Sequence, residues 1–165
     1  MTKLIRDADI KDLAAIVEIY NTTIASRTAT AETEPITLAS RLDWLQNRDF
    51  ATRPVWVVQI AEQVVGWLSF NNFYGRPAYA RTAELSIYVA QSYRRQGIGN
   101  LLLQEAIAAA PQLNIQILLG FIFAHNQASL KLFYKHGFER WGFFPQVAEL
   151  DAQLKDLAIL GKKLS

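Results

Sequence analysis

The sequence predicts an α/β (α+β) fold in which one mixed β-sheet is flanked by helices. Three observations lead to this prediction. The chain has 165 residues, which is the size of one domain, so we expect residues 1–165 to form a single domain. About half of the residues are hydrophobic, which is enough to build a core. Segments with strand and helix patterns follow one another in the order β-α-α-β-β-β-α-β-α-β-β.

The first half of the chain predicts one strand, two helices and a strand hairpin. In chain order these are a strand at 3–6, a helix from about Ile10 that Asp7 or Asp9 can cap, a loop or broken helix at 21–36, a helix at 38–48 that Thr37 can cap, and strands at 55–60 and 64–70. Leu38, Leu42 and Leu45 recur at helical spacing, and we therefore expect all three to face the core.

The second half alternates more regularly between strands and helices. It predicts a loop at 71–80, a strand at 81–89, a helix that ends near Pro111, a strand at 115–124, a helix at 126–136 and a final strand pair at 138–147 and 154–160. The apolar run 115–124 lacks polar alternation, which is typical of a central strand buried on both faces. The four tryptophans are expected in the core: Trp44, Trp56, Trp67 and Trp141.

Composition excludes several classes of function. The formal net charge is +2, from 17 basic and 15 acidic residues, so we predict no nucleic-acid surface. The sequence has no cysteine, which excludes disulfides, thiolate nucleophiles and zinc sites with cysteine ligands. With only two histidines, we expect no metal site. No apolar run is long enough to span a bilayer and no signal-peptide pattern is present, so we predict a cytoplasmic protein that does not bind membranes.

The segment 84–106 carries the clearest chemical signal. An apolar strand pattern with Glu84 at its start is followed by a basic glycine loop at 94–99 and then by a helix pattern. Glycines allow a ligand to approach the backbone, and a helix N-terminus favours an anion, so this segment predicts a phosphate-binding loop. The loop lacks the motifs of a nucleoside-triphosphate P-loop and of a dinucleotide fold. An ordinary strand-to-helix turn with solvated arginines is the alternative.

Two motifs lie in the same order and about the same distance apart as those of a known superfamily. They are Arg94-x-x-Gly97-x-Gly99 and Asn126-x-x-Ser129-x-x-x-Phe133-x-x-x-Gly137-Phe138. They resemble the pyrophosphate loop and the second cofactor segment of the GNAT superfamily, which consists of acetyl-CoA-dependent N-acetyltransferases. The resemblance extends over nearly the whole chain and implies the GNAT fold.

A narrower resemblance rests on four further motifs. They are Tyr20-Asn21, Thr33-Glu34-Pro35, Arg76-x-x-Tyr79 and Thr82-Ala83-Glu84-x-Ser86-x-Tyr88-Val89. These motifs are similar to those of the phosphinothricin acetyltransferase subfamily, which acetylates the α-amine of small amino-acid-like molecules such as phosphinothricin and methionine sulfoximine. Some positions depart from the subfamily pattern: Tyr74 replaces a basic residue, and Leu150, Asp151 and Leu154 replace the residues usual before the last strand.

The resemblance implies a set of site residues. Glu84 is the expected general base, since a carboxylate near an ammonium group can take its proton before attack on a thioester. Arg76 and Tyr79 are the expected contacts to an acidic group of the substrate, with Glu84 beside the amine. The expected acetyl-CoA contacts are Ile87, Tyr88, Val89, Arg94, Arg95, Gln96, Gly97, Ile98, Gly99, Asn100, Asn126 and Ser129.

Several alternatives stay open at this point. Because the chain has no cysteine nucleophile, we expect direct transfer rather than an acyl-enzyme. Phe133 occupies the position where many members have a tyrosine general acid, and the neighbouring Tyr134 points elsewhere on the helix. Besides a small amine, the substrate could be a protein or peptide, and the chain could also be an acyl-CoA-binding module or a phosphate-binding scaffold without catalysis. The resemblance further implies a homodimer.

Overall fold

The computed structural model describes residues 2–164. In this part of the chain seven strands form one mixed sheet in the order β1-β2-β3-β4-β5-β7-β6. The strands are β1 (Lys3–Asp7), β2 (Val55–Ile60), β3 (Gln63–Asn72), β4 (Thr82–Val89), β5 (Ile117–Phe123), β6 (Glu139–Leu150) and β7 (Gln153–Lys163). The helices are α1 (Leu13–Ile24), α2 (Leu38–Gln46), α3 (Ile98–Ala109) and α4 (Gln127–Lys135). The predicted fold class and the predicted order of elements are confirmed.

The helices cover the two faces of the sheet and divide the core into two clusters. One cluster joins α1 and α2 to the sheet through Leu13, Ile16, Tyr20 and Trp67. The other cluster joins the sheet to α3 and α4. Successive side chains of β4 alternate between these clusters, so Leu85 and Ile87 pack toward α3 and α4, whereas Tyr88 packs toward α1 and α2. Each face of β4 therefore meets a different environment.

Two expectations about single residues were wrong in detail. Leu38 is 50% exposed, because it is the first residue of α2 and stands beside the cap, where the Thr37 hydroxyl accepts a hydrogen bond from the Ser40 N–H at 3.2 Å. In the segment 21–36, predicted as a loop or broken helix, α1 continues as far as Ile24. Trp141 is 49% exposed and lies over Gly161, outside the core.

The only parallel strand pair within residues 2–164 lies at the centre of the sheet. β4 and β5 pair over three positions, from Thr82 opposite Ile117 to Glu84 opposite Leu119. Beyond this point β4 continues along β3, and β5 continues along β7, without pairing to each other. A gap therefore opens between the two central strands and widens toward their carboxyl ends.

Candidate active site

The gap between β4 and β5 exposes main-chain groups of β4. β4 pairs with β3 without a register shift, and the Ala90 N–H donates to the Val65 carbonyl at 2.8 Å. In an antiparallel pair the residues that bond to the neighbour alternate with residues whose N–H and C=O point away. Counting back from Ala90, the polar main-chain groups of Val89, Ile87 and Leu85 point away from β3 and into the gap. Two of these, Ile87 and Val89, are among the predicted acetyl-CoA contacts.

Glu84 is the last residue of β4 that pairs with β5. It lies opposite Asn71 on β3 and opposite Leu119 on β5, and its side chain shares a face of β4 with Ser86 and Tyr88. The carboxylate is half-buried and forms no hydrogen bond or ion pair with any residue of 2–164. Burial raises the pKa of the Glu84 carboxyl above its ordinary value. A half-buried carboxylate without an internal partner, placed where two strands separate, is available to accept a proton.

The basic glycine loop and α4 stand at the wide end of the gap. Because β4 and β5 are parallel, both of their carboxyl ends lie at this edge, and each strand is followed by a loop and a helix. Arg94, Arg95, Gln96 and Gly97 are exposed, and α3 begins immediately after them. Arg95 and Gly97 both have left-handed backbone angles, with φ of 62° and 80°. The loop therefore places two exposed arginines immediately before the free N–H groups of a helix N-terminus.

Two neighbouring contacts fix this loop. The Lys3 ammonium donates to the Gln96 carbonyl at 3.1 Å, and His136 Nε2 lies 2.8 Å from the side-chain oxygen of Asn100. Gly99 stands where α3 passes close to α4, since a Cβ at this position would lie 3.3 Å from Leu132 Cδ2. No local pattern predicts the contacts of Lys3 and His136, because each contact joins elements that are distant along the chain.

Asn126 and Ser129 lie at the start of α4. The side-chain oxygen of Asn126 accepts from the Ser129 N–H at 3.2 Å and so caps the helix. Its amide nitrogen donates to the Thr28 carbonyl at 3.2 Å. Both polar atoms of the Asn126 side chain therefore have partners within the chain, and Asn126 joins the loop after α1 to the helix beside the gap.

The predicted acidic-group contacts lie in a different cavity from Glu84. A surface cavity of about 460 Å³ contains Arg76 and Tyr79, together with Arg53, Arg81 and Asn114, and Glu84 does not line it. Arg76 is exposed, and the ring of Tyr79, which is 41% exposed, packs against Phe73 at 5.3 Å between centroids. The lining residues include three arginines and no carboxylate, so the cavity suits an anion.

Three arginines near β3 and β4 were missed by the sequence reasoning. Arg41, Arg48 and Arg53 have no carboxylate within ion-pair distance among residues 2–164. Arg41 lies over the rings of Tyr20 and Trp44, at 5.1 and 5.2 Å from the centroids. Arg53 donates to the carbonyl oxygens of Thr52, Ala80 and Thr82 at the start of β4. No local sequence pattern marks these arginines, and only the fold brings them to the sheet.

The family model and the similar known proteins all point to one family. The family model described as "Acetyltransferase (GNAT) family" matches residues 16–138. A Bacillus subtilis protein whose proposed name is phosphinothricin acetyltransferase YwnH is 51% identical over 162 residues, covering 98% of this chain and 99% of its own. The L-methionine sulfoximine/L-methionine sulfone acetyltransferase of Pseudomonas aeruginosa is 32% identical, covering 97% of this chain and 94% of its own.

Solved structures agree with the family model. A GNAT superfamily phosphinothricin acetyltransferase from Sinorhizobium meliloti, in complex with acetyl-CoA, has a TM-score of 0.90 at 28% identity and covers 100% of this chain and 90% of its own. A ribosomal-protein-alanine N-acetyltransferase from Brucella melitensis has a TM-score of 0.92 at 36% identity and covers 98% of this chain and 99% of its own. The chain belongs to the GNAT family of acetyltransferases.

Proposed function

We propose that this enzyme transfers the acetyl group of acetyl-CoA to the α-amine of a small amino-acid-like substrate of the phosphinothricin or methionine sulfoximine type. Two relatives that span nearly the whole chain carry names of this kind, one at 51% and one at 32% identity. The observation that carries the proposal is the position of Glu84 at the apex of the gap between β4 and β5, half-buried and without an internal partner.

Glu84 acts as the general base in this proposal. An α-ammonium group must lose a proton before its nitrogen can attack a thioester, and a carboxylate can take that proton directly or through one water. The raised pKa of Glu84 makes it a better proton acceptor than an ordinary glutamate. The chain has no cysteine to form an acyl-enzyme, so the acetyl group passes directly from sulfur to nitrogen.

The two loops at the wide end of the gap support a binding site for coenzyme A. We assign the pyrophosphate to the loop Arg94–Asn100, where two exposed arginines stand next to the N–H groups at the start of α3. The N–H groups of Ile87 and Val89 face the gap and would donate to the thioester oxygen as negative charge develops on it. Asn126 and Ser129 would lie beside the pantetheine at the start of α4. The side chain of Asn126 would act mainly by capping this helix.

The cavity that contains Arg76 and Tyr79 is assigned to the acidic end of the substrate. A guanidinium donates two parallel hydrogen bonds to a carboxylate or phosphinate, and no carboxylate lines the cavity to compete for it. Glu84 does not line this cavity, so the amine and the acidic group are assigned to separate parts of the site. Tyr74, which stands at a position often basic in the subfamily, is 77% exposed and adds no charge there.

We also propose that the enzyme is a homodimer in the cytoplasm. β6 is an edge strand of twelve residues, and five large apolar side chains on β6 and β7 are at least 39% exposed: Trp141, Phe143, Phe144, Val147 and Leu154. A long apolar edge of this kind is usually covered by another chain. Light scattering after size exclusion should give twice the mass of one chain, and a monomer mass would contradict the dimer. Within residues 2–164 no helix is long and apolar enough to cross a membrane.

The test of the proposed activity is a thiol-release assay with acetyl-CoA. The panel contains methionine sulfoximine, methionine sulfone, phosphinothricin, ordinary amino acids and short peptides with a free N-terminus. The proposal predicts fast CoA release with one or more of the amino-acid analogues. The peptides are included because one similar structure is named as a ribosomal-protein-alanine N-acetyltransferase. Release with peptides alone would favour that second function, and binding of acetyl-CoA without release would indicate a non-catalytic module.

A further inference from the structure

A chain of hydrogen bonds joins α2 to the face of β4 that carries Glu84. The Arg48 guanidinium, just after α2, donates through Nη2 to the side-chain oxygen of Asn71 at 3.1 Å. The amide nitrogen of Asn71 donates to the hydroxyl oxygen of Ser86 at 3.1 Å. Asn71 lies directly opposite Glu84, and Ser86 follows Glu84 by two residues on the same face of the strand.

The direction of both hydrogen bonds in this series is fixed by the chemistry of Arg48. A guanidinium has donors and no acceptor, so it must face the oxygen of the Asn71 amide and not its nitrogen. The amide nitrogen of Asn71 then faces Ser86, whose oxygen has to accept. Because the Ser86 oxygen receives this hydrogen bond, its own O–H must donate to a different group on the face that it shares with Glu84, where the Tyr88 hydroxyl lies near it and a bound substrate would compete for the proton.

Arg48 is held rigidly enough to fix this direction. Its Nε donates to the Arg53 carbonyl at 2.9 Å, its Nη2 also donates to the Phe70 carbonyl, and its guanidinium stacks on Trp44 at 5.0 Å from the ring centroid. Burial, together with the nearby Arg53 and Arg41, lowers the pKa of Arg48 to about 10, which keeps it protonated at neutral pH. No carboxylate of residues 2–164 pairs with it.

We propose that Arg48 and Asn71 are positioning residues that turn the Ser86 hydroxyl into a hydrogen-bond donor for an acceptor oxygen of the amine substrate. This inference rests on the proposed function, because it places the substrate beside Glu84. Neither Arg48 nor Asn71 needs to touch the substrate: Arg48 sets the orientation of the Asn71 amide, and the amide sets the direction of the Ser86 proton. Arg48 and Asn71 therefore contribute to substrate binding more than to the chemical step.

The variant Asn71→Asp tests the direction of the bonds. An aspartate has the same shape but only acceptors, so it should pair with Arg48 and also accept from Ser86, which turns the Ser86 proton away from the substrate. Because the variant gives the half-buried Arg48 a carboxylate partner, we expect its Tm to rise in the Glu84→Gln background, where no second carboxylate lies opposite residue 71. We expect KM for methionine sulfone to rise roughly tenfold or more, with the KM for acetyl-CoA unchanged. A side chain with a purely structural role would not give higher stability with weaker substrate binding.

Two further variants and a control complete the test. Ser86→Ala should raise KM by a similar factor with little change in Tm, and the double variant should show no further loss, because both changes remove the same donor. Asn47→Asp, which adds the same charge at an exposed position next to Arg48, should leave KM unchanged. Additive losses in the double variant, or an unchanged KM in Ser86→Ala, would overturn the proposal.

The outcome for the proposed function can be separated from this one. If wild-type enzyme releases no CoA with any amine, the proposed function fails, and the role in substrate binding fails with it. The Tm of Asn71→Asp in the Glu84→Gln background still decides the direction of the Arg48 bond in that case, and a lower Tm there would show that the assigned orientation of Asn71 is wrong. If wild-type enzyme is active and the variants behave as wild type, only the positioning proposal is lost.

Discussion

Replacing Glu84 with glutamine should separate catalysis from binding and from stability. Glutamine has nearly the same shape and cannot accept a proton, and Glu84 forms no hydrogen bond within residues 2–164 that the substitution would break. The main effect should therefore fall on the chemical step. Loss of a general base typically costs 100- to 10,000-fold in rate, and we expect a fall of roughly that size in kcat. The KM for acetyl-CoA should stay within about twofold, since the cofactor loops are untouched.

The pKa of Glu84 gives this variant two further signatures. Burial raises the pKa of Glu84 in the folded protein above its value in the unfolded chain. At a pH between these two values the unfolded state holds fewer protons, so the free energy of unfolding falls as pH rises through this range. Glu84→Gln removes this loss, so the variant should be at least as stable as wild type at neutral pH. In wild type, kcat/KM should rise with pH as Glu84 loses its proton, with a midpoint above the ordinary range of glutamate.

The assay is steady-state thiol release with the best amine from the panel, measured from acid to alkaline pH, with a melting curve for each protein. Glu105→Gln is the matched control, because Glu105 is exposed on α3 and lies outside the gap. The control should behave as wild type in every measurement. A Glu84→Gln variant with wild-type kcat and the same acidic limb of the pH profile would refute the assignment of Glu84 as the base.

Three more predictions concern the loops and the core beside the gap. Gly97→Ala should destabilise the protein by about 1–2 kcal/mol through backbone strain alone, since φ is +80° and no atom lies within 4 Å of the added Cβ. A melting curve equal to that of wild type would contradict the left-handed geometry. Gly120→Ala should lower the free energy of unfolding, measured by chemical denaturation, by about 1–3 kcal/mol, because the new Cβ would lie 2.7 Å from Phe133 Cε2. In the control Gly142→Ala the new Cβ meets Ile159 at an ordinary 3.5 Å. Equal losses of stability in both variants would count against the packing described. Arg95→Gln should raise KM for acetyl-CoA roughly tenfold, most strongly at low salt, and leave kcat unchanged, whereas the exposed Arg140→Gln should change neither.

The sequence predicted the elements well because their signals are local. The caps at Asp9 and Thr37, the apolar run in β5 and the glycine after α4 each act within a few residues, and the structure confirms the corresponding boundaries to within a few positions. Leu38 shows where a local signal misleads. It fits the helical period, but its place in the first turn leaves it at the rim of the core.

The arrangement of the site depends on non-local pairing that no local pattern encodes. The resemblance identified Glu84 and the glycine loop, but only the end of pairing between β4 and β5 puts Glu84 at the apex of a gap. Arg48 and Asn71 are separated by 23 residues, so their hydrogen bond could not be read from spacing. The separation of the Arg76 cavity from Glu84 depends in the same way on how the loop 73–81 folds against the start of β5.

The choice of substrate is the central claim, and one competition experiment tests it most directly. Limiting acetyl-CoA is mixed with equimolar methionine sulfone and a short peptide with a free N-terminal alanine, and the acetylated products are quantified by mass spectrometry. If Glu84 and the cavity of Arg76 serve a small amino-acid-like molecule, nearly all the acetyl groups should appear on the α-nitrogen of methionine sulfone. Acetyl groups found mainly on the peptide would contradict the account and assign the site to a protein N-terminus.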